Sequence, residues 1–286
     1  MSDTGTTADL AAIETAVVAQ ARTRLRRDAV TRVVAPFIFT ALLLAAWETL
    51  VHITNIAPYL VPPPSAIARA MVENAGRLFE HSIATMTAVA VAFAIAVVVG
   101  VVFALITFHF KLFRQAVYPL FVLFQAVPKV AVAPLFAVWF GFSITTKAGI
   151  GFLIAVFPVI INTLLGLESL PAEKLHLAET MGLSRFRMFF RVRLPQALPA
   201  MFGGFKNAFS LAMIGAIIGE FVGGSEGLGY LMLRSNRDFD GPMLYAALTV
   251  LAMYSVILFL ILELIERRLL PWHERGADAR SFGTEV

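Results

Sequence analysis

The chain has 286 residues, of which 59% are hydrophobic and 15% are charged, and its formal net charge is +4. Soluble domains carry about 25% charged residues, so this amount of apolar surface cannot be hidden in one soluble core. The absence of cysteine excludes disulfides, thiolate metal sites and cysteine nucleophiles. The small basic excess gives no reason to expect a nucleic-acid partner. The composition predicts an integral membrane protein.

The two ends of the chain are polar. Residues 1–32 are too polar to span a bilayer and form a predicted cytoplasmic N-terminal tail, which is either a helix at the headgroups or a disordered segment. Residues 273–286 form a predicted cytoplasmic C-terminal tail. The membrane domain is therefore predicted to cover residues 33–272.

Six apolar runs are long enough to cross about 30 Å of hydrocarbon. They cover residues 33–53, 83–108, 116–140, 148–167, 198–222 and 243–270. After the first run, prolines 62–64 break the chain before a short helix that Ser65 is predicted to cap. In the third run, Pro119, Pro128 and Pro134 predict a kinked or split helix. The six runs predict an all-α bundle of six transmembrane helices.

The positions of the basic residues predict the orientation of this bundle. Most of the 23 Lys and Arg residues fall on one side, which includes both tails and residues 169–199. The other side carries Arg69, Arg77, Lys147, Arg234 and Arg237, and Lys129 lies inside the third run. Because cytoplasmic loops carry an excess of Lys and Arg, both termini and residues 169–199 are predicted to be cytoplasmic.

Residues 169–199 form a polar and basic segment between the fourth and fifth runs, and we call this segment the docking loop. It reads SLPAEKLHLAETMGLSRFRMFFRVRLPQALP. Ser169 is predicted to cap one short helix that ends at Gly182, and Ser184 a second that ends at Leu194-Pro195. Both helices have an apolar side and a basic side. The loop is predicted to dock onto a partner; the alternative is an amphipathic loop resting on membrane lipids.

The docking loop resembles the cytoplasmic loop of bacterial ABC-importer permeases. That family's signature is Glu-Ala-Ala, three residues, Gly, nine residues, then Ile-x-Leu-Pro. Aligned on Gly182, Ala178 matches the second alanine, Val192 the isoleucine, and Leu194-Pro195 the ending. His176 and Leu177 depart from the signature, and Glu179 lies three residues beyond the family's glutamate position. The resemblance covers about residues 60–272, includes LVPPPSAI, PKVAVAPLFAVWFG and IGAIIGEFVGGSEGLGYLM, and is strongest to the nitrate/taurine/sulfonate group.

The resemblance implies a type I importer core similar to the methionine permease, in a bacterial inner membrane. It also implies a second copy of this chain, two ATPase subunits that hold ATP and Mg²⁺, and a periplasmic or lipid-anchored solute-binding protein. The docking loop would be the coupling helix that contacts the ATPase. The residues implied in that contact are His176, Ala178, Glu179, Gly182, Leu194 and Pro195.

Polar side chains inside apolar runs are costly and are candidates for a translocation path. They are Gln125, Lys129, Asn162, Asn207, Ser210 and Glu220. Lys129 on such a path would favour an anionic solute. The alternatives are that Lys129 pairs with Glu220 or extends to the membrane surface, and that Asn162 and Ser210 form hydrogen bonds between helices. Gly215 and Gly219 predict close helix packing first and a dimer contact second.

Motifs for catalysis and for cofactor binding are missing from the sequence. The Gly-rich stretch GGSEGLG at residues 223–229 has no Lys-Ser/Thr of a phosphate loop and is interpreted as a turn on the outer side. The five histidines lack metal-ligand spacing. The sequence therefore predicts a permease subunit for a small, anionic solute such as a sulfonate, nitrate or carboxylate. The alternatives are import of a vitamin precursor, or a secondary transporter driven by an ion gradient, although no internal repeat supports the latter.

Overall fold

The computed structural model describes residues 34–272, apart from the side chains of Tyr118, Phe121, Val122, Gln125 and Ala126. Within this part of the chain every regular element is a helix, which confirms the all-α prediction. Both predicted tails lie outside the described residues. The described residues divide into two compact units, one that ends at Ile67 and one that begins at Ala68.

Eleven α-helices lie within the described range, together with one 3₁₀ turn and one π turn. They are α1 Val34–Thr54, α2 Pro64–Glu73, α3 Ala75–His109, α4 Lys111–Ala126, the 3₁₀ turn Lys129–Val132, α5 Ala133–Phe140, α6 Ile144–Glu168, α7 Ala172–Thr180, α8 Arg185–Met188, the π turn Phe189–Arg193, α9 Leu194–Gly223, α10 Leu228–Arg237 and α11 Gly241–Leu269.

Five of the described helices are long and apolar enough to cross a membrane. The third predicted run is not one of them, because α4 ends at Ala126 and the chain resumes in a 3₁₀ turn at Lys129. Val127 and Pro128 between them are extended. Pro128 lacks the N–H that would continue the helical bonding, and its ring disfavours a helical residue before it. The predicted split is confirmed, and the six-span count stays a prediction.

In the first unit, α1 positions the start of α2. Glu48 on α1 accepts hydrogen bonds from Ser65, at 3.0 Å from the backbone N–H and at 2.6 Å from the hydroxyl. The prediction that Ser65 caps α2 was wrong, because the helix begins one residue earlier, at Pro64. A carboxylate near the free N–H groups of a helix start is stabilising, so Glu48 takes the capping role.

The centre of the second unit is the antiparallel pair α6 and α9, which approach along small residues. A Cβ added to Gly215 would lie 2.5 Å from Gly151 Cα, and one added to Gly219 would lie 2.8 Å from Lys147 Cα. Further along the same seam, a Cβ on Gly204 would lie 2.6 Å from Asn162 Cβ. The prediction that Gly215 and Gly219 serve packing is confirmed.

Helix α3 packs on α6 in a similar way. Its buried face is a stripe of alanines that are fully inaccessible, at Ala88, Ala92, Ala96 and Ala104. A Cβ added to Gly100 in that stripe would lie 2.6 Å from Val159 of α6. The helices α3, α6 and α9 therefore form a core whose backbones are close together, as expected where packing rather than hydrophobic burial drives association.

The docking loop begins with α7, which ends in a Schellman motif. The N–H of Gly182 donates to Glu179 O at 2.9 Å, and the N–H of Leu183 donates to Ala178 O at 3.2 Å. Gly182 has a φ of 72°, a left-handed conformation that glycine adopts without strain. The predicted helix end at Gly182 is confirmed, whereas Ser169 is not the cap, because α7 begins at Ala172 and its cap position is Pro171.

The second helix of the docking loop begins as predicted, with Ser184 Oγ accepting from the N–H of Arg187. Its predicted end at Leu194-Pro195 was wrong, because α8 continues through the π turn into α9 as one helix, Arg185–Gly223. In the π turn the N–H of Leu194 bonds to Phe189 O, five residues back. This wider turn leaves room for Pro195, which has no N–H and would otherwise clash with the carbonyl of Arg191.

Gly215→Ala is expected to destabilise the folded chain by about 1–3 kcal/mol, because the added methyl group would overlap the backbone of Gly151. Thermal denaturation of the detergent-purified protein, followed by gel filtration, measures the change. Gly76→Ala near the start of α3 is the control, since no atom lies within 4 Å of its added Cβ. The control is expected to gain up to about 1 kcal/mol in helix propensity, and equal stability of the two variants would contradict the close approach of α6 and α9.

Candidate functional site

The docking loop exposes large apolar side chains on an otherwise basic element. Phe186 is 73% exposed and Met181 is 71% exposed, and Leu177 and Phe190 are also exposed. We call these four residues the docking surface. Leu177 and Met181 lie one turn apart, and the rings of Phe186 and Phe190 are 4.7 Å apart. Exposed apolar patches rimmed by charge are typical of protein interaction sites.

The six residues implied in ATPase contact divide into two groups in the structure. His176 and Glu179 are exposed on α7, with His176 Nδ1 3.7 Å from Glu179 Oε2. Gly182 is exposed at the turn. By contrast, Ala178 is buried, and Leu194 and Pro195 are half-buried in the first turn of α9. The first three residues can therefore meet a partner, and the other three set the position of the loop.

Two arginines tie the docking loop and its surroundings to the core. Arg193 Nη1 donates to the carbonyl of Leu167 at the end of α6, at 3.3 Å, and its guanidinium lies 5.1 Å from the ring centre of Phe108. Arg114 of α4 pairs with Glu168 of α6. The loop is thus held against the ends of both α3 and α6.

Of the predicted path residues, Lys129 lies at the break between α4 and α5. Its Nζ is 4.8 Å from the ring centre of Phe157 on α6, and the side chain is half-buried. The alternative in which Lys129 pairs with Glu220 was wrong, because the carboxylate of Glu220 is bonded elsewhere. The side chain of Gln125 lies outside the described residues.

The structure separates the predicted path residues of α6 and α9. Asn207 and Ser210 lie on one exposed face of α9, about one turn apart. Asn162 instead lies in the α6–α9 seam and donates to its own helix, to Pro158 O at 2.9 Å. Ser210 likewise donates to Lys206 O within α9. Each side chain thus donates to a carbonyl one turn back in its own helix, and the hydrogen bonds between helices stay a prediction.

Glu220 is the centre of a buried polar cluster at the end of α9 that is farthest from the docking loop. Its side chain is only 1% exposed. Thr85 Oγ1 on α3 donates to Glu220 Oε1 at 2.8 Å, and the N–H of Gly229 donates to Oε2 at 2.7 Å. Thr85 Oγ1 also accepts from the N–H of Leu228 at 2.7 Å. Both carboxylate oxygens are therefore bonded without an ion pair to Lys129.

Two further contacts fix the α9–α10 turn, residues 224–227. The N–H of Gly227 donates to His81 Nδ1 on α3 at 3.0 Å. Lys147 on α6 is buried, and its Nζ donates to the carbonyl of Glu226 at 2.6 Å. We call Glu220, Thr85, His81 and Lys147 the polar clamp, because together they bind the backbone of this turn and of the start of α10.

The polar clamp explains the glycines that follow α9. Gly227 has a φ of 113°, and a Cβ there would lie 2.1 Å from Glu220 Oε1. A Cβ on Gly229 would lie 2.9 Å from Glu220 Oε2. The sequence interpretation took GGSEGLG only as a turn and missed that its backbone holds a carboxylate. The available signal was a costly buried glutamate followed within nine residues by four glycines.

The described residues form an all-helical core with several membrane-length helices and a basic docking loop, which is the architecture of a multi-pass membrane protein. Residues 96–272 match the family described as binding-protein-dependent transport system inner membrane component. The chain belongs to this family, and it is the membrane-spanning permease subunit of an ABC importer in the inner membrane.

Three relatives carry the names of transport permease proteins, in agreement with this assignment. The chain is 35% identical to the formylaminopyrimidine transport permease protein ThiX of Halalkalibacterium halodurans, over 84% of this chain and 96% of that protein. It is 34% identical to the riboflavin transport system permease protein RibX of Chloroflexus aurantiacus, over 81% and 87%. It is 28% identical to the taurine transport system permease protein TauC of Escherichia coli, over 82% and 87%.

Arg193→Ala is expected to loosen the docking loop, because it removes both the bond to Leu167 O and the contact with Phe108. Such a contact contributes about 1.5–3 kcal/mol, which corresponds to at least tenfold faster local opening. Hydrogen exchange of the backbone over residues 185–193 measures the opening. Arg191→Ala, at an exposed position of the same π turn, is the control and is expected to leave exchange within about twofold of the original chain; equal effects would contradict the anchoring role of Arg193.

Proposed function

We propose that the docking surface binds the ATPase subunit that drives this importer. The support is the exposure of Leu177, Met181, Phe186 and Phe190 on an element that is otherwise basic. A partner groove with apolar walls and an acidic rim matches this surface in shape and charge. ATP and Mg²⁺ bind on that ATPase, and each importer contains two ATPase subunits on two docking loops.

The docking loop transmits the motion of the ATPase pair to the membrane helices. Its second half continues without interruption into α9, and Arg193 and Phe189 hold it to the ends of α6 and α3. When the ATPase pair closes around ATP, the docking loops would move and tilt the core helices. The translocation path would then open to the other side of the membrane. In this scheme the docking loop and both termini are cytoplasmic, and a solute-binding protein delivers the solute from outside.

The second permease subunit is a second copy of this chain, which meets the first along the exposed face of α9. That face carries Gly203, which has no side chain, and the polar residues Asn207 and Ser210, although α9 lies in a membrane-length helix. Such a face is poorly suited to lipid and well suited to a close, partly hydrated contact between two helices. Asn207 and Ser210 would then line the path, whereas Asn162 and Glu220 serve packing and the polar clamp.

The transported solute is small and anionic, of the sulfonate, nitrate or carboxylate class. The observation in favour is Lys129, a cation at the break between α4 and α5, whose own contact is an aromatic ring rather than a carboxylate. A vitamin precursor is the second candidate, and the relatives at 35% and 34% identity, named for formylaminopyrimidine and riboflavin transport, favour it. Thermal-shift screening of the partner binding protein against both classes separates them.

Phe186→Ser is expected to reduce capture of the ATPase by about tenfold or more, because burial of a phenylalanine at an interface contributes about 1.5–3 kcal/mol. The measurement is the amount of ATPase that co-purifies with the detergent-solubilised permease from its native membrane, at a fixed protein concentration. The unaltered chain should bring down both the ATPase and the solute-binding protein.

Phe239→Ser is the matched control for that experiment. Phe239 is 72% exposed, almost as much as Phe186, but it lies between α10 and α11, at the opposite end of the core. Its replacement is expected to leave ATPase capture unchanged. Equal loss from both variants would point to general instability, and no loss from Phe186→Ser would contradict the proposed docking surface.

Lys129→Met is expected to lower uptake of an anionic solute by about tenfold, because it removes the cation on the path. Methionine keeps the length of the side chain and its contact with Phe157. Uptake into proteoliposomes that contain the complete importer measures the effect. Lys111→Met, at the exposed start of α4, is the control and should retain uptake; unchanged uptake and solute preference in Lys129→Met would contradict the role of Lys129.

A further inference from the structure

The polar clamp lies at one end of a helix whose other end lies in the docking loop. The helix Arg185–Gly223 has 39 residues, so at 1.5 Å per residue it is about 58 Å long. Phe186 lies in its first turn and Glu220 in its last. The two sites are thus connected through a single backbone, which contains the π turn and, inside α9, Pro199.

Four elements meet at the polar clamp through hydrogen bonds, of which those of Thr85 are buried and those of Lys147 and His81 are part-buried. Thr85 and His81 belong to α3, Lys147 to α6, and Glu220 to α9, and all of them bind the backbone between α9 and α10 or each other. Buried bonds of this kind are stronger than exposed ones, because no water competes for them. The far ends of these helices and the start of α10 are therefore held together as one body.

We propose that Glu220 is a positioning residue for transport, which fixes α10 rigidly to the end of α9 so that movement of the docking loop reaches α10. This inference rests on the proposed function, because the movement comes from the ATPase. Glu220 touches no solute in this role. It acts through the backbone N–H of Gly229 and through Thr85, which in turn holds the N–H of Leu228.

The bonding depends on the two acceptor oxygens at position 220. One accepts from a hydroxyl and one from a backbone N–H. A methionine has nearly the same length but no oxygen, so it removes the bond from Thr85 and leaves the N–H of Gly229 without an acceptor. A buried donor without an acceptor is costly, and the simplest relief is for α10 to separate from α9.

The chain contains no cysteine, so a pair of introduced cysteines can carry spin labels at defined places. Gln196→Cys near the start of α9 and Asn236→Cys on α10 are both exposed. The distance between the labels is measured in the full importer, with labelled chains diluted among unlabelled ones, in the resting state and in a state trapped with ATP and vanadate. Uptake and ATPase capture are measured on the same samples.

The unaltered chain is expected to give one narrow distance that is the same in both states, because α9 and α10 move together. Glu220→Met is expected to broaden that distance and to reduce uptake by about tenfold or more, because the N–H of Gly229 loses its acceptor, while ATPase capture stays unchanged. Glu226→Met is the matched control, since it removes an exposed carboxylate from the same turn, where only the backbone carbonyl of Glu226 is used. It should behave as the unaltered chain does.

Other outcomes overturn the proposal. They are a narrow distance in Glu220→Met, the same broadening in Glu226→Met, or a change of more than about 5 Å between the two states of the unaltered chain. If Glu220→Met does not fold, Thr85→Val and Thr85→Ser decide: broadening in the valine variant alone supports the clamp, and equal behaviour refutes it. Failure of the unaltered chain to capture an ATPase would refute the proposed function, while the resting-state distances would still test the clamp.

Discussion

The close approach of α6 and α9 is the contact on which the rest of the core depends. Lipid tails are as apolar as leucine, so helices in a bilayer gain little from burying apolar surface against each other and associate through packing and hydrogen bonds. The glycines at positions 151, 215 and 219 bring the two backbones together over several turns. With α6 and α9 fixed in this way, the alanine face of α3 can pack beside them. The remaining sites are then built at the two ends of this three-helix core.

The two ends of the core use polar groups in opposite ways. At the docking loop, charged side chains such as Arg185 and Arg187 are exposed and surround exposed apolar side chains. The apolar side chains at this end are therefore left uncovered by the chain itself. At the polar clamp, Glu220 and Lys147 are buried and bonded within the chain. An exposed apolar surface gains free energy only by binding, whereas a satisfied buried cluster resists rearrangement. The docking loop is therefore suited to bind a moving partner. The polar clamp is suited to stay rigid while the helices move.

Local patterns in the sequence predicted what depends on neighbouring residues. The apolar runs indicated the long helices, the proline at position 128 indicated the split in the third run, and Gly182 indicated the end of α7. Features that depend on distant residues were missed or wrong. Glu220 is held by Thr85, which is 135 residues away in the chain, and Ser65 is held by Glu48 across 17 residues. Such partners become visible only when the helices are packed, because no local spacing records them.

The wrong prediction at Leu194-Pro195 has the largest consequence for mechanism. A proline usually marks the end or a kink of a helix, so the sequence predicted that the second helix of the docking loop ends at Leu194-Pro195. The π turn Phe189–Arg193 absorbs the proline instead and keeps the helix continuous from Arg185 to Gly223. If the chain bent freely at Leu194-Pro195, a movement of the docking loop would be lost in local bending and would not reach α9. In the proposed mechanism a continuous helix, held to the end of α6 by Arg193, would instead carry that movement into the seam with α6 and on to the polar clamp.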